Sequence, residues 1–221
     1  MFSFKDLSIV KQRRRALLAA FDIKASFEEI EETCVPSYAH SNLAAAGVAW
    51  MRPVIAAKLW HRWAPATMTA GPVLDFGAAS GELHHFLEGA PTYHFVEAEE
   101  ALATALEGFV PGAERHALED LKDEQFAGIF CLDSLEHNDD FAELLGQLAT
   151  KIKPGGVMIL SGPTENALYR LGRKIAGFDG HYHTTTIHHI ELAAAQHMSL
   201  LERRRAPFGV PLFSISAWRK T

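Results

Sequence analysis

Residues 72–83, PVLDFGAASGEL, constrain the fold of this chain more than any other stretch. Val73, Leu74 and Phe76 give a short apolar strand. Gly77-Ala78-Ala79-Ser80-Gly81 is too small and too flexible to continue it, and Leu83, Phe86 and Leu87 then repeat at helical spacing. Strand, small-residue turn and helix in that order aim backbone N–H groups and a helix start at one point. Small residues let a ligand approach the backbone closely, and a helix start favours a polar or anionic group. Asp75 adds a carboxylate two residues before the first glycine. Taken alone, a glycine-rich turn says little, because many α/β folds carry one.

Three further signals follow in order. Tyr93-His94-Phe95-Val96-Glu97 reads as a second strand ending in an acid, twenty residues after Gly77. A carboxylate there can accept hydrogen bonds from both hydroxyls of a ribose. Ile129-Phe130-Cys131-Leu132-Asp133 is a buried strand followed by Ser134-Leu135-Glu136-His137. Ile152-Lys153-Pro154-Gly155-Gly156 is a break before another buried strand, 157–160. The set resembles the class I S-adenosylmethionine-dependent methyltransferases over about 71–221. DFGAASG is similar to the family's first motif, Glu97 to its ribose acid, DSLEH to the motif after strand four and KPGG to the turn into strand five. DSLEH and KPGG look most like the branch that includes ubiquinone-biosynthesis methyltransferases. One position departs from the usual glycine pattern: Ala79, whose methyl is tolerable if it points away from the cofactor. The runner-up is a nicotinamide-dependent Rossmann oxidoreductase. Its G-x-G-x-x-G would need glycines where Ala79 and Glu82 stand.

The resemblance implies S-adenosylmethionine as cofactor, S-adenosylhomocysteine as product and in-line methyl transfer. It implies that Asp75, Gly77, Ala78, Ala79 and Gly81 belong to the cofactor turn, with the backbone of 77–81 lining the methionine part. Glu97 would take the ribose, Ala98 would lie beside the adenine, and Leu118 and Glu119 would flank it. Leu132 and Asp133 would meet the cofactor's amino group. In-line displacement asks mainly for alignment and exclusion of water, and a base only for a protonated nucleophile. His137, just past strand four, is one candidate base, since imidazole titrates near neutrality. A structural role tying loop to sheet is its competing reading. His183 is the second candidate, in a run from Gly180 to His189 where the family usually carries acceptor-binding loops. Four histidines within nine residues there would suit a metal, but no paired carboxylate cluster accompanies them, and no metal is expected. His84 and His85 read as packing or surface residues, and the polar run 162–166 as acceptor contacts or a helix start capped by Thr164.

The strand and helix signals predict an α/β fold: a Rossmann-like doubly wound sheet, mostly parallel. Strands are expected at 72–77, 93–97, near 114–118, 128–132 and 156–161, with helices at 80–88, 99–107, 141–152 and near 166–176. Strand-like runs at 200–205 and 212–218 predict a C-terminal antiparallel hairpin. Residues 1–70 contain no convincing strand and read as an N-terminal helical cap over the cofactor end, with 71–221 as the core. A helix over 4–21 carries Lys11, Arg13, Arg14 and Arg15. That basic face reads as a solvated one, with peripheral contact to an anionic membrane, or a grip on a phosphate, as the sharper alternatives. Ser26-Phe27-Glu28-Glu29 has capping-box spacing. A longer helix from Leu43 to Trp63 is expected to be interrupted or kinked at Pro53, and Tyr38, His40 and Arg52 read either as polar groups facing the site or as hydrogen-bonded surface or interface residues.

A net charge of −6 gives no basic footprint for nucleic acid. The run Asp133-Ser134-Leu135-Glu136 also lacks the Asp/Asn-Pro-Pro-aromatic tetrad of the amino-methyltransferases of nucleic acids. The expected acceptor is a small molecule, or one linked to a carbohydrate or lipid. Two distant cysteines, Cys34 and Cys131, form no disulfide or zinc framework, and no apolar run is long enough to span a membrane. A cytoplasmic enzyme is the expectation. A non-catalytic cofactor-binding scaffold or sensor is its alternative.

Overall fold

The computed structural model describes residues 2–22, 34–89, 92–170 and 185–220. The helices are α1 (Phe4–Ala20), α2 (Val35–Ala39), α3 (Leu43–Trp63), α4 (Glu100–Phe109), α5 (Phe141–Lys151) and α6 (Ile187–Ala194). The strands are β1 (Val73–Phe76), β2 (Tyr93–Val96), β3 (Glu114–Arg115), β4 (Phe126–Leu132), β5 (Ile152–Pro163), β6 (Met198–Ala206) and β7 (Phe213–Lys220). They form one sheet in the order β3-β2-β1-β4-β5-β7-β6. The pairs from β3 to β5 are parallel, and β7 enters antiparallel to both β5 and β6. The expected doubly wound sheet with a terminal hairpin is therefore present.

Alternating residues of the strands feed two cores. Val73, Phe95, Phe130, Val157 and Ile159 face α3 and α4, while Leu74, Ile129, Cys131, Met158 and Leu160 face α5 and α6. Parallel strands buried on both faces read as continuous apolar runs, which is why β4 is FAGIFCL with all seven residues buried. Gly128 interrupts that run for a packing reason. A Cβ there would lie 2.3 Å from Cζ3 of the fully buried Trp60, so only glycine lets α3 lie this close to β4.

Three local expectations change. The helix expected at 80–88 is a single 3-10 turn, Glu82–Phe86, entered through left-handed Gly81 and left through extended Leu87. The Glu88 N–H then donates to His61 Nε2 at 3.0 Å, which draws the chain away from a helical path. Strand three ends at Arg115, and Leu118–Asp120 is a second 3-10 turn. KPGG lies inside β5 rather than before it. Phe126 pairs with Ile152 and Gly128 with Val157, so the extra residues bulge out around Gly155 at φ +76°.

The basic face of α1 is only partly solvated. Arg13 is buried and grips Glu82 through two bonds, Nε at 3.0 Å and Nη2 at 2.8 Å, with its guanidinium over the Phe109 ring. Arg14 donates to the His40 carbonyl at 2.6 Å, and Asp6 pairs with Lys58 of α3 at 2.8 Å. Lys11 and Arg15 face solvent. The capping box proposed at 26–29 lies outside the described residues, as does the helix near 166–176 beyond residue 170.

Candidate functional site

The sheet order reverses between β1 and β4, which leaves a crevice beyond the carboxyl ends of these strands, where open α/β sheets bind ligands. The turn after β1 fills one wall. The Gly77 N–H donates to the Val96 carbonyl at 2.9 Å with φ +71°, and a Cβ at Gly77 would lie 2.4 Å from Cβ of Ser134. Gly81 is also left-handed, and a Cβ there would lie 2.8 Å from Leu106. Ala79 takes φ +47°, so the turn keeps a glycine-type path at the position where the sequence departs from the glycine pattern. An alanine in this conformation costs about 1–2 kcal/mol.

Glu97 holds that conformation. One of its carboxylate oxygens accepts the Ala79 N–H at 2.7 Å, and the other accepts the Glu99 N–H at 2.9 Å. Each carboxylate oxygen has two acceptor directions, so both retain capacity for a further donor. Packed against Gly77, Ser134 Oγ is buried with no hydrogen-bond partner. A left-handed glycine turn, a carboxylate with spare capacity and an unsatisfied hydroxyl fit a ligand rich in polar groups.

Asp75 is buried near the end of β1. It is 3% exposed and accepts a short hydrogen bond from the Tyr93 hydroxyl. Burial pushes its carboxyl up to about 7, with Tyr93 acting against the rise and Glu97 adding to it. Ala98 and Glu119 are exposed beyond β2 and β3, Leu118 is half-buried between them and the α5 side, and Leu132 is buried at the end of β4.

The end of β4 carries a second polar cluster. Asp133 takes φ +54° and pairs with the buried Arg52 of α3, while Ser161 Oγ donates to its other oxygen at 3.3 Å. The Arg52 guanidinium lies 4.6 Å from the Phe213 ring centre and 5.7 Å from that of Tyr38, and Phe213 meets Tyr169 edge to face. Cys34 sits at 4.0 Å from Asp133, its thiol pushed up to about 12 mainly by burial. Glu136 is buried, with Oε2 unpartnered, and burial reinforced by the negative Asp133 holds its carboxyl well above the usual range. The neighbouring His137 is exposed at the end of the 3-10 turn Leu135–His137. His183 lies outside the described residues.

Thr164 does not cap a helix: its hydroxyl donates to the Pro211 carbonyl at 2.6 Å. Asn166 is the cap, accepting the Tyr169 N–H at 2.8 Å. His188 and His189 open α6 after Thr186, as read from the sequence. His84 and His85 are half-buried, the former edge to face with Tyr93.

A family profile described as "Methyltransferase domain" matches residues 49–205. The chain belongs to the class I S-adenosylmethionine-dependent methyltransferases. No curated protein matches the methyltransferase in sequence. Solved structures share its fold at low identity. Magnesium protoporphyrin IX methyltransferase (ChlM) from Synechocystis PCC 6803, with bound S-adenosylhomocysteine, is 16% identical at TM-score 0.62, covering 82% of this chain and 89% of that one. The N-methyltransferase NodS from Bradyrhizobium japonicum WM9, in complex with S-adenosyl-L-homocysteine, is 12% identical at TM-score 0.57, covering 74% and 84%. The CurJ carbon methyltransferase is 12% identical at TM-score 0.61, covering 96% and 71%. The nicotinamide reading ends here. The family match excludes it, and an antiparallel β7 inserted beside β5 is not the all-parallel 3-2-1-4-5-6 order of the dinucleotide fold. The methyltransferase uses S-adenosylmethionine, and the scaffold reading gives way to an enzyme. Among the described residues, no helix is long and apolar enough to cross a membrane.

Proposed function

We propose that this methyltransferase methylates a small-molecule acceptor, free or linked to a carbohydrate or lipid, bound beyond β4 among Tyr38, Arg52, Glu136, Tyr169 and Phe213. The observation that carries the reading is the buried guanidinium of Arg52 beside the rings of Phe213 and Tyr38, with a buried and unpartnered Glu136 oxygen at the same end of β4. Such a pocket, aromatic with a few convergent polar groups, suits a compact ligand.

The cofactor's place follows from the crevice. The backbone of Gly77, Ala78, Ala79 and Gly81 would line the methionine part, next to the unpartnered Ser134 Oγ. Glu97 accepts from the ribose hydroxyls with its remaining acceptor capacity. Ala98, Leu118 and Glu119 flank the adenine, and Leu132 and Asp133 meet the amino group. Asp75 supports the turn from beneath through Tyr93. When bound, S-adenosylmethionine would supply an electrophilic methyl group on its sulfonium. What this chain adds is alignment, dryness and, for a protonated acceptor, a base.

His137 and His183 are candidate bases by motif order. Glu136 joins them on geometry, as a buried carboxyl at the end of β4 with Oε2 unpartnered. The segment 34–52, which brings Cys34, Tyr38 and Arg52 over the end of β4, acts as the cap on this site. The likeness of DSLEH and KPGG to the ubiquinone-biosynthesis branch points to an aromatic hydroxyl as a first acceptor to try.

The test is production of S-adenosylhomocysteine with a panel of small acceptors, followed by variants on the best one. Glu136→Gln should lower kcat while leaving S-adenosylhomocysteine affinity within about twofold, because the lost group acts on the acceptor only. Turnover confined to nucleic-acid or protein acceptors would overturn the reading.

A further inference from the structure

A cluster outside the transfer site has the dimensions of a metal centre. The parallel pairing of β2 with β3 sets His94 beside Glu114. Period two along a strand brings His116 to the same face as Glu114. Among the described residues, these three alone bring ligand atoms within 4.8 Å of one another as a set of histidines, cysteines or acids. His94 Nδ1 lies 2.9 Å from His116 Nε2, and Glu114 Oε2 lies 3.4 Å from the first and 3.9 Å from the second. The point equidistant from the corners of that triangle is about 2.0 Å from each, which is the zinc–nitrogen and zinc–oxygen bond length. A single imidazole–imidazole hydrogen bond accounts for the first distance. It does not account for a carboxylate turned toward both rings.

We propose that His94, Glu114 and His116 bind a divalent transition ion of the zinc class, with water as its fourth ligand. Two imidazoles and a carboxylate are a zinc-type set, whereas magnesium and calcium prefer oxygen ligands throughout. The site is held in advance of the ion. His94 is nearly buried and its ring packs edge to face on Phe126 at 5.3 Å, while the backbone N–H of His116 donates to the Phe95 carbonyl at 2.9 Å and fixes the chain there. Glu114 is half-exposed, which leaves the fourth position open to solvent.

The ion's work is to hold an edge. β3 contributes only two residues to the sheet, so few backbone bonds secure it. Arg115, between Glu114 and His116, donates to the Glu97 carbonyl at 3.2 Å and pairs with Glu100 at 2.8 Å. An ion on the neighbouring residues therefore fastens the strand that leans on the end of β2. It takes no part in methyl transfer.

The experiment uses the untagged full chain, stripped with chelator and titrated with Zn2+ by calorimetry, with Co2+ as a visible-absorption probe. His116→Ala is the main variant because it sits at the exposed edge, and Glu114→Gln is the second. The parent should bind an equivalent of Zn2+ that His116→Ala lacks, and Zn2+ should raise the parent's melting temperature but not the variant's. Outer partners of metal ligands alone are worth 10–100-fold, so losing a ligand should cost more than about 100-fold in affinity. His188→Ala with His189→Ala should leave the equivalent in place. Equal stoichiometry and affinity in the parent and in His116→Ala would overturn the proposal, as would a parent that binds no Zn2+.

Discussion

Arg52 and Asp133, 81 residues apart, form a buried ion pair that joins the first half of α3 to the end of β4. Its geometry begins with a proline. Pro53 has no N–H, so the carbonyl four residues back, on Ala49, loses its helical donor. Arg52 Nε donates to that carbonyl at 3.2 Å, and this bond holds the guanidinium where its other end meets Asp133. Pro53 thus positions Arg52 within α3, which runs unbroken from Leu43 to Trp63.

Both partners are almost fully buried, at 6% and 7% side-chain exposure, so removing one leaves an unpaired charge in a dry place. Arg52→Ala should cost about 3–5 kcal/mol in chemical denaturation. Arg52→Met with Asp133→Asn should recover part of it, since both charges go together and Asn tolerates the left-handed backbone of position 133. A cost below about 1 kcal/mol for Arg52→Ala would mean that the pair is solvated.

Asp75 gives a pH dependence with a definite sign. In the unfolded chain its carboxyl titrates near 3.8, and in the folded enzyme burial moves this to about 7. Between those values the folded state holds the extra proton, so stability falls as pH rises and levels off above neutrality. The full contribution is present below about pH 4 and amounts to about 4 kcal/mol. Denaturation midpoints of the parent should therefore drop from pH 4 to 7 relative to those of Asp75→Asn. Parallel curves would place the ionised carboxylate in the folded state.

Arg13 and Arg15 are two residues apart on α1 and should behave differently. Arg13 is locked onto Glu82 in the core, whereas Arg15 faces solvent. Arg13→Ala should destabilise by about 3 kcal/mol and Arg15→Ala by less than about 0.5 kcal/mol. Denaturant titration of the two variants decides this, and equal effects would return α1 to a wholly solvated face.

The legible parts of this fold were the locally encoded ones. β1, β2, β4 and β5 are apolar runs closed by glycine, acid or turn residues, and Pro53, Thr186 and the C-terminal hairpin announce themselves within a few residues. The features that escaped are made by contacts distant in sequence. Nothing near Glu82 says that Arg13, 69 residues earlier, will bury it, and nothing in HHFLEG says that His61 will pull the chain out of a helix. KPGG looked like a boundary because a bulge and a strand start have the same composition. At the site, the glycine turn and Glu97 were readable from spacing. Glu136 was passed over for His137 because imidazole chemistry is visible in a sequence and burial is not. His94, Glu114 and His116 meet only through the β2–β3 register, although alternation of Glu114 and His116 was a signal once a strand was assigned there.

Glu97 carries the most direct test of the account. One of its oxygens holds the turn through the Ala79 N–H, the other holds the start of α4 through the Glu99 N–H, and both keep acceptor capacity for a ribose hydroxyl. Hydrogen bonds to a charged group contribute about 1.5–3 kcal/mol each and are rarely additive. Calorimetry should show the parent binding S-adenosylhomocysteine and not NAD. Glu97→Ala should bind it about ten- to a thousandfold more weakly, with Glu97→Gln between. A Glu97→Ala variant that binds S-adenosylhomocysteine as tightly as the parent, or a parent that binds NAD and neither adenosyl ligand, would contradict the account.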